Sequence, residues 1–92
     1  MKVDFYATLR QIVGGKTVEL DLPEGVTVHQ LIEAIVQKFP ALRRELLDEN
    51  GCIYGHVHII INGRDAPFME RGLETELSSE DELRIFPAVG GG

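Results

Sequence analysis

The residues with the clearest chemical meaning close the chain: Ala88-Val89-Gly90-Gly91-Gly92. Glycine gives up more backbone freedom on ordering than any other residue, so such a run packs poorly against a core. Residues 88–92 are therefore expected to form a flexible tail beyond a domain spanning 1–87. Lacking a Cβ, Gly91 and Gly92 can thread a narrow slot and present the Gly92 carboxylate to another molecule. The chemistry to expect is that of a protein whose reactive group is its own C-terminus. Fully extended, residues 88–92 reach ~16–18 Å, enough to enter a partner's buried active site while the domain stays outside.

Other reactive side chains weigh less. His56 and His58, two apart on a strand, would need further ligands to hold a metal, and His29 falls on a helix. They read as solvent-facing, and no metal site is expected. Cys52 sits in Asn50-Gly51-Cys52-Ile53, which supplies no cation to lower a thiol pKa, and reads as a semi-buried loop residue. One cysteine excludes an internal disulfide and the four-thiolate ligation of an iron–sulfur cluster. No glycine loop leads into a Lys-Ser/Thr pair, so the chain has no phosphate cradle of that type. It brings no catalytic groups and no bound cofactor, and is not expected to be an enzyme by itself.

Ninety-two residues make one domain, and 43% hydrophobic content supports a single core without covalent staples. The net charge of −6 is uneven: from Asp65 to Gly92 there are seven acidic residues against two arginines. Such a surface repels phosphate backbones, which argues against direct nucleic-acid binding, and favours a basic partner. The N-terminus carries no signal-like apolar run, and no stretch of ~18 apolar residues could span a bilayer. A cytoplasmic address without membrane attachment is expected.

The elements that must position the tail can be read from periodicity. Val3, Phe5 and Ala7 alternate with polar neighbours as a strand. Leu9 to Val13 reads as a short connection and Gly14-Gly15 as a turn. Thr17 to Leu22 alternates again, giving a hairpin closed by Pro23-Glu24-Gly25. Val28, Leu31, Ile32, Ile35, Val36 and Phe39 form one helical stripe, with Thr27 and Gln30 as a capping box and Pro40 as terminator. Ala41 to Leu47 reads as a shorter helical turn, broken by Asp48-Glu49-Asn50-Gly51. A third strand runs from about Gly55 to Asn62, with Val57, Ile59 and Ile61 inward and His56, His58 and Ile60 outward. After an irregular stretch from 65 to 79 packed by Leu73 and Leu77, Glu82 to Phe86 forms the last strand. Leu83 and Ile85 point in, Arg84 and Phe86 point out, and Pro87 ends the ladder. The result is an α+β domain whose single main helix covers one face of a mixed sheet. The other face is open, and Phe86 and Ile60 on it are candidate anchors for a partner, with Pro87, Val89 and Gly90 leading into the grip on the tail.

This order resembles the ubiquitin-like β-grasp fold, and its details resemble the MoaD/ThiS family of sulfur carriers, the MoaD side most. The matching segments are Phe5-Tyr6-Ala7-Thr8-Leu9-Arg10, Ile61-Asn62-Gly63-Arg64-Asp65 and Asp81-Glu82-Leu83-Arg84-Ile85-Phe86-Pro87-Ala88-Val89-Gly90-Gly91-Gly92. One departure is Gly90, where the family often carries alanine. The resemblance implies adenylation of Gly92 by a ubiquitin-activating-type enzyme that consumes ATP. A sulfur donor enzyme would then convert the adenylate to a thiocarboxylate. The expected destination is molybdenum cofactor biosynthesis, with this chain as small subunit of molybdopterin synthase docked into the large subunit. The alternatives are a ubiquitin-like modifier joined to lysines through Gly92, and a sulfur carrier for tRNA thiolation.

Overall fold

A computed structural model describes residues 1–66 and 70–87. In β1 (Lys2–Phe5), Val3 and Phe5 are fully buried while Lys2 and Asp4 take the other side. The alternation stops before Ala7, which was expected inward but is exposed. Its φ of 54° turns the chain sharply into α1 (Thr8–Val13), a helix where a plain connection was expected. The physical reason is burial: Leu9 is sealed in the core, and Ile12 and Val13 pack at its margin, so the segment coils to bring i, i+3 and i+4 together. Six residues are too few for that pattern to stand out in sequence. Gly14 closes α1 at φ 82°, and the N–H groups of Gly14 and Gly15 both donate to the Arg10 carbonyl.

The chain returns as β2 (Thr17–Glu19), antiparallel to β1 with Val18 opposite Val3. The expected hairpin is present, but α1 and Gly14-Gly15 form its connection. Pro23-Glu24-Gly25 instead leads into the next helix, fastened by the Gly25 N–H to the Leu77 carbonyl at 2.9 Å.

In α2 (Val28–Lys38) the capping box forms as expected. Thr27 Oγ1 accepts from the Gln30 N–H at 3.1 Å, and Gln30 Oε1 accepts from the Thr27 N–H at 2.9 Å. Val28, Leu31, Ile32, Ile35 and Val36 form the buried stripe. Phe39 leaves helical geometry at φ −127° before Pro40, and a 3-10 turn (Pro40–Leu42) runs into α3 (Arg43–Leu46). Asp48 Oδ1 then accepts from the N–H groups of Asn50 and Cys52, closing the next turn.

The third strand, β3 (His58–Ile61), is shorter than its apolar pattern, with Ile59 and Ile61 buried and Val57 buried just before it. Asn62 and Gly63, both with positive φ, make the two-residue turn that suits a twisted hairpin, and β4 (Arg64–Asp65) pairs back on β3. The stretch after it, expected to be irregular, therefore begins with paired backbone and later contains a 3-10 turn at Gly72–Glu74. Leu77 is buried there and Leu73 packs at the core margin. Finally β5 (Leu83–Phe86) directs Leu83 and Ile85 inward.

Among the described residues the sheet order is β2-β1-β5-β3-β4, with β1 and β5 parallel and the other neighbours antiparallel. This is the mixed α+β sheet anticipated from the sequence. The stripe of α2 joins the inward residues of the strands in one core, which leaves the opposite sheet face open.

Two outcomes follow for stability. Replacing fully buried Ile35 by alanine should cost about 2–5 kcal/mol, read from the shift of the urea midpoint. Glu24 is held below the ordinary glutamate value of 4.5 by hydrogen bonds from the Ser79 hydroxyl and its main-chain N–H; the latter spans 2.7 Å. The N-terminal ammonium, 2.8 Å from Glu19, lowers the pKa of Glu19 in the same way. Because both folded values are depressed, their contribution is complete above the ordinary value and is lost as pH falls through the lowered ones. The urea midpoint should decline on acidification, and Glu24→Gln should make that decline shallower.

Candidate functional site

The root of the tail is built by strand pairing. Since β1 and β5 run parallel with Phe5 beside Ile85, the next residues, Tyr6 and Phe86, emerge side by side on the open face. The Tyr6 N–H also donates to the Ile85 carbonyl at 3.2 Å. Their rings stack with centroids 4.2 Å apart and planes 12° from parallel. Phe86 thus points outward as expected, but Tyr6 covers part of it and it is half-buried.

Arg10 of α1 completes the cluster. Its Nε donates to the Phe5 carbonyl at 2.8 Å, and its guanidinium carbon lies 4.9 Å from the centre of the Tyr6 ring. Pro87, following Phe86, is buried, and without an N–H it ends the ladder. Val89, Gly90, Gly91 and Gly92, the candidate tail residues, lie outside the described residues.

Across the sheet from Phe86 stands His58, whose Nδ1 is 2.8 Å from Asp65 Oδ2. Ile60 lies farther along the same face, half-buried between Arg84 on β5 and Asp65 on β4. The structure therefore brings Phe86 and Ile60 onto one face, with Arg10, Tyr6 and His58 beside the tail root. His56 lies apart, stacked on Tyr54 at 4.8 Å. Cys52, expected semi-buried, is exposed, because the turn around Asp48 holds its backbone and leaves its side chain outside the core.

Tyr6 and Arg10 were not singled out as site residues in the sequence. The outward parity of Tyr6 was a usable signal, but nothing local announces its stacking on a residue near the other end of the chain. Arg10 was hidden because its segment read as a connection. Chemically the cluster joins two stacked rings to the guanidinium of Arg10, with Ile60, Arg84 and the His58–Asp65 pair on the same face.

Comparison with known proteins accords with this geometry. The model of the ThiS family matches residues 3–92. Small archaeal modifier protein 1 of Haloferax volcanii is 32% identical over 92 residues, covering 100% of both chains. Its crystal structure superposes with a TM-score of 0.83 at 30% identity, covering 96% of this chain and 95% of that one. An Archaeoglobus fulgidus protein named for a sulfur-carrier role is 39% identical over 69 residues, 75% of this chain and 77% of its own. A Pyrococcus furiosus structure named as molybdopterin converting factor subunit 1 gives a TM-score of 0.74 at 33% identity, covering 96% of this chain and 95% of that one.

If Tyr6 and Phe86 support one another as their stacking implies, a double-mutant cycle of Tyr6→Ala and Phe86→Ala should return a coupling of about 0.5–1.5 kcal/mol in unfolding free energy. Additive effects would show that the rings contribute independently.

Proposed function

Because this chain belongs to the ThiS family of ubiquitin-like β-grasp carriers and modifiers, we propose that it is a sulfur carrier acting through the carboxylate of Gly92. The observation that carries this reading is the extent of the family match. It runs through Gly91 and Gly92 and includes the β5 segment that ends at the open face.

A free carboxylate is a poor acyl donor, since its leaving group would be oxide. Transfer of AMP from ATP, with release of pyrophosphate, turns it into a mixed anhydride. Hydrosulfide delivered by a donor enzyme then attacks the carbonyl carbon, the C–S bond forming as the C–O bond to AMP breaks, which leaves the thiocarboxylate and free AMP. The catalytic groups come from partners: an adenylating enzyme of the ubiquitin-activating type and the sulfur donor. In our reading the acceptor complex is molybdopterin synthase, with this chain as its small subunit and the tail inserted into the large one. The likeness to the Pyrococcus furiosus protein supports that destination.

Docking must offset about 1–2 kcal/mol for each tail residue ordered. Val89 in an apolar pocket would return ~1.5–3 kcal/mol if fully buried. Phe86 and Ile60, with Tyr6, supply the apolar contact of the domain itself. Pro87 and Gly90 set the path between the two.

A second reading has its own support in the whole-length similarity to a protein named as a modifier. There the same adenylate would be passed to a lysine amine. Intact-mass spectrometry of protein isolated from its native cell separates the two: a gain of ~16 Da marks oxygen replaced by sulfur, whereas lysine-linked adducts mark conjugation. We expect the first. Removing Gly91-Gly92 should abolish either modification while leaving the melting temperature almost unchanged. Phe86→Ala should weaken calorimetrically measured binding to the large subunit by more than about 1 kcal/mol.

A further inference from the structure

The proposed chemistry leaves the Arg10 guanidinium without a role. Its Nε is committed to the Phe5 carbonyl and its plane lies near the Tyr6 ring, yet the residue is exposed. Among the described residues neither terminal nitrogen has a hydrogen-bond or ion-pair partner, although acidic residues outnumber basic ones by fifteen to nine in the chain. An arginine held at two points, with no partner at its fork among the described residues, differs from an ordinary surface cation. Its side chain has already lost most of the freedom that binding would otherwise cost, and its remaining N–H groups form a fixed two-pronged donor.

The geometry points to Arg10 as a docking residue that recognises a carboxylate, an aspartate or glutamate side chain, on the partner that activates the tail. This rests on the reading of Gly92 as an adenylated group. The ligand class follows from the donor: a planar fork matches a carboxylate through two parallel hydrogen bonds. The location follows from continuity, since Arg10 contacts Tyr6, which contacts Phe86, which leads into the tail. The surroundings give the pair its value. A chain of net charge −6 is drawn to a basic partner in many orientations. One fixed cation beside the aromatic pair, meeting one acid within that basic surface, selects the orientation that feeds the tail into the active site. Arg10 is thus a specificity-determining contact, separate from the chemistry at Gly92.

The test is ATP–pyrophosphate exchange, with the full chain as substrate for the adenylating enzyme of the same organism, at low and high salt. For Arg10→Gln we expect KM to rise about ten-fold with kcat within about two-fold, and the salt dependence of KM to flatten. Arg10→Lys, which keeps the charge but loses the fork, should fall between the two. Melting temperatures check folding, and if Arg10→Gln is unfolded, Arg10→Lys decides. A wild-type KM in the folded variant overturns the inference alone, as does a fall in kcat with KM unchanged. No exchange with the wild-type chain would overturn the reading of Gly92 itself, and this inference with it.

Discussion

The parallel pairing of β1 with β5 at the middle of the sheet is the constraint on which the rest of the structure depends. It sets the beginning of the chain beside its last strand, so Tyr6 and Phe86 meet although the sequence separates them by most of its length. β5 is also hydrogen-bonded on its other side to β3, so the strand leading to the tail is held along both edges. A parallel pair needs a long crossover, and here that crossover carries α2, whose stripe seals one sheet face and leaves the other uncovered. The core, the tail root and the open sheet face therefore have one origin.

Much of this was legible in the sequence, for identifiable reasons. The stripe from Val28 to Val36 spans enough turns to be unambiguous, and Thr27 with Gln30 announces its start. Val57, Ile59 and Ile61 alternate cleanly, and Asn62-Gly63 marks a tight hairpin. α1 was missed because Thr8–Val13 is shorter than two helical turns and owes its helicity to the burial of Leu9. Parallel pairing leaves no local mark, since Val3 and Phe5 would alternate in the same way beside any neighbour. For that reason Phe86 and Ile60 could be placed on the outer face from parity, while Tyr6 and Arg10 could not be joined to them. The exposure of Cys52 depends on side-chain capping by Asp48, which composition alone does not reveal.

The division of labour follows from what the domain holds. Its buried side chains among the described residues are apolar, and its outer face offers rings, an aliphatic side chain and an oriented guanidinium. On the proposed function, these are means of being recognised. Family membership across residues 3–92 places the chain among small ubiquitin-like carriers and modifiers. A stable body with an aromatic root and a glycine terminus suits a reagent that must be presented to successive enzymes and released. On the proposed function, the acidic surface would bring a partner near, the aromatic face would fix contact, and Gly92 would carry the reacting carbon.

The most direct test of this account is to prepare the chain by semisynthesis in two forms, one ending in the free acid of Gly92 and one in its amide. Each is then supplied with ATP, the adenylating partner and sulfide, and the AMP released with the thiocarboxylate is measured. The account predicts product from the acid and none from the amide, with both forms equally folded. Equal turnover of the two would show that the reactive group lies elsewhere.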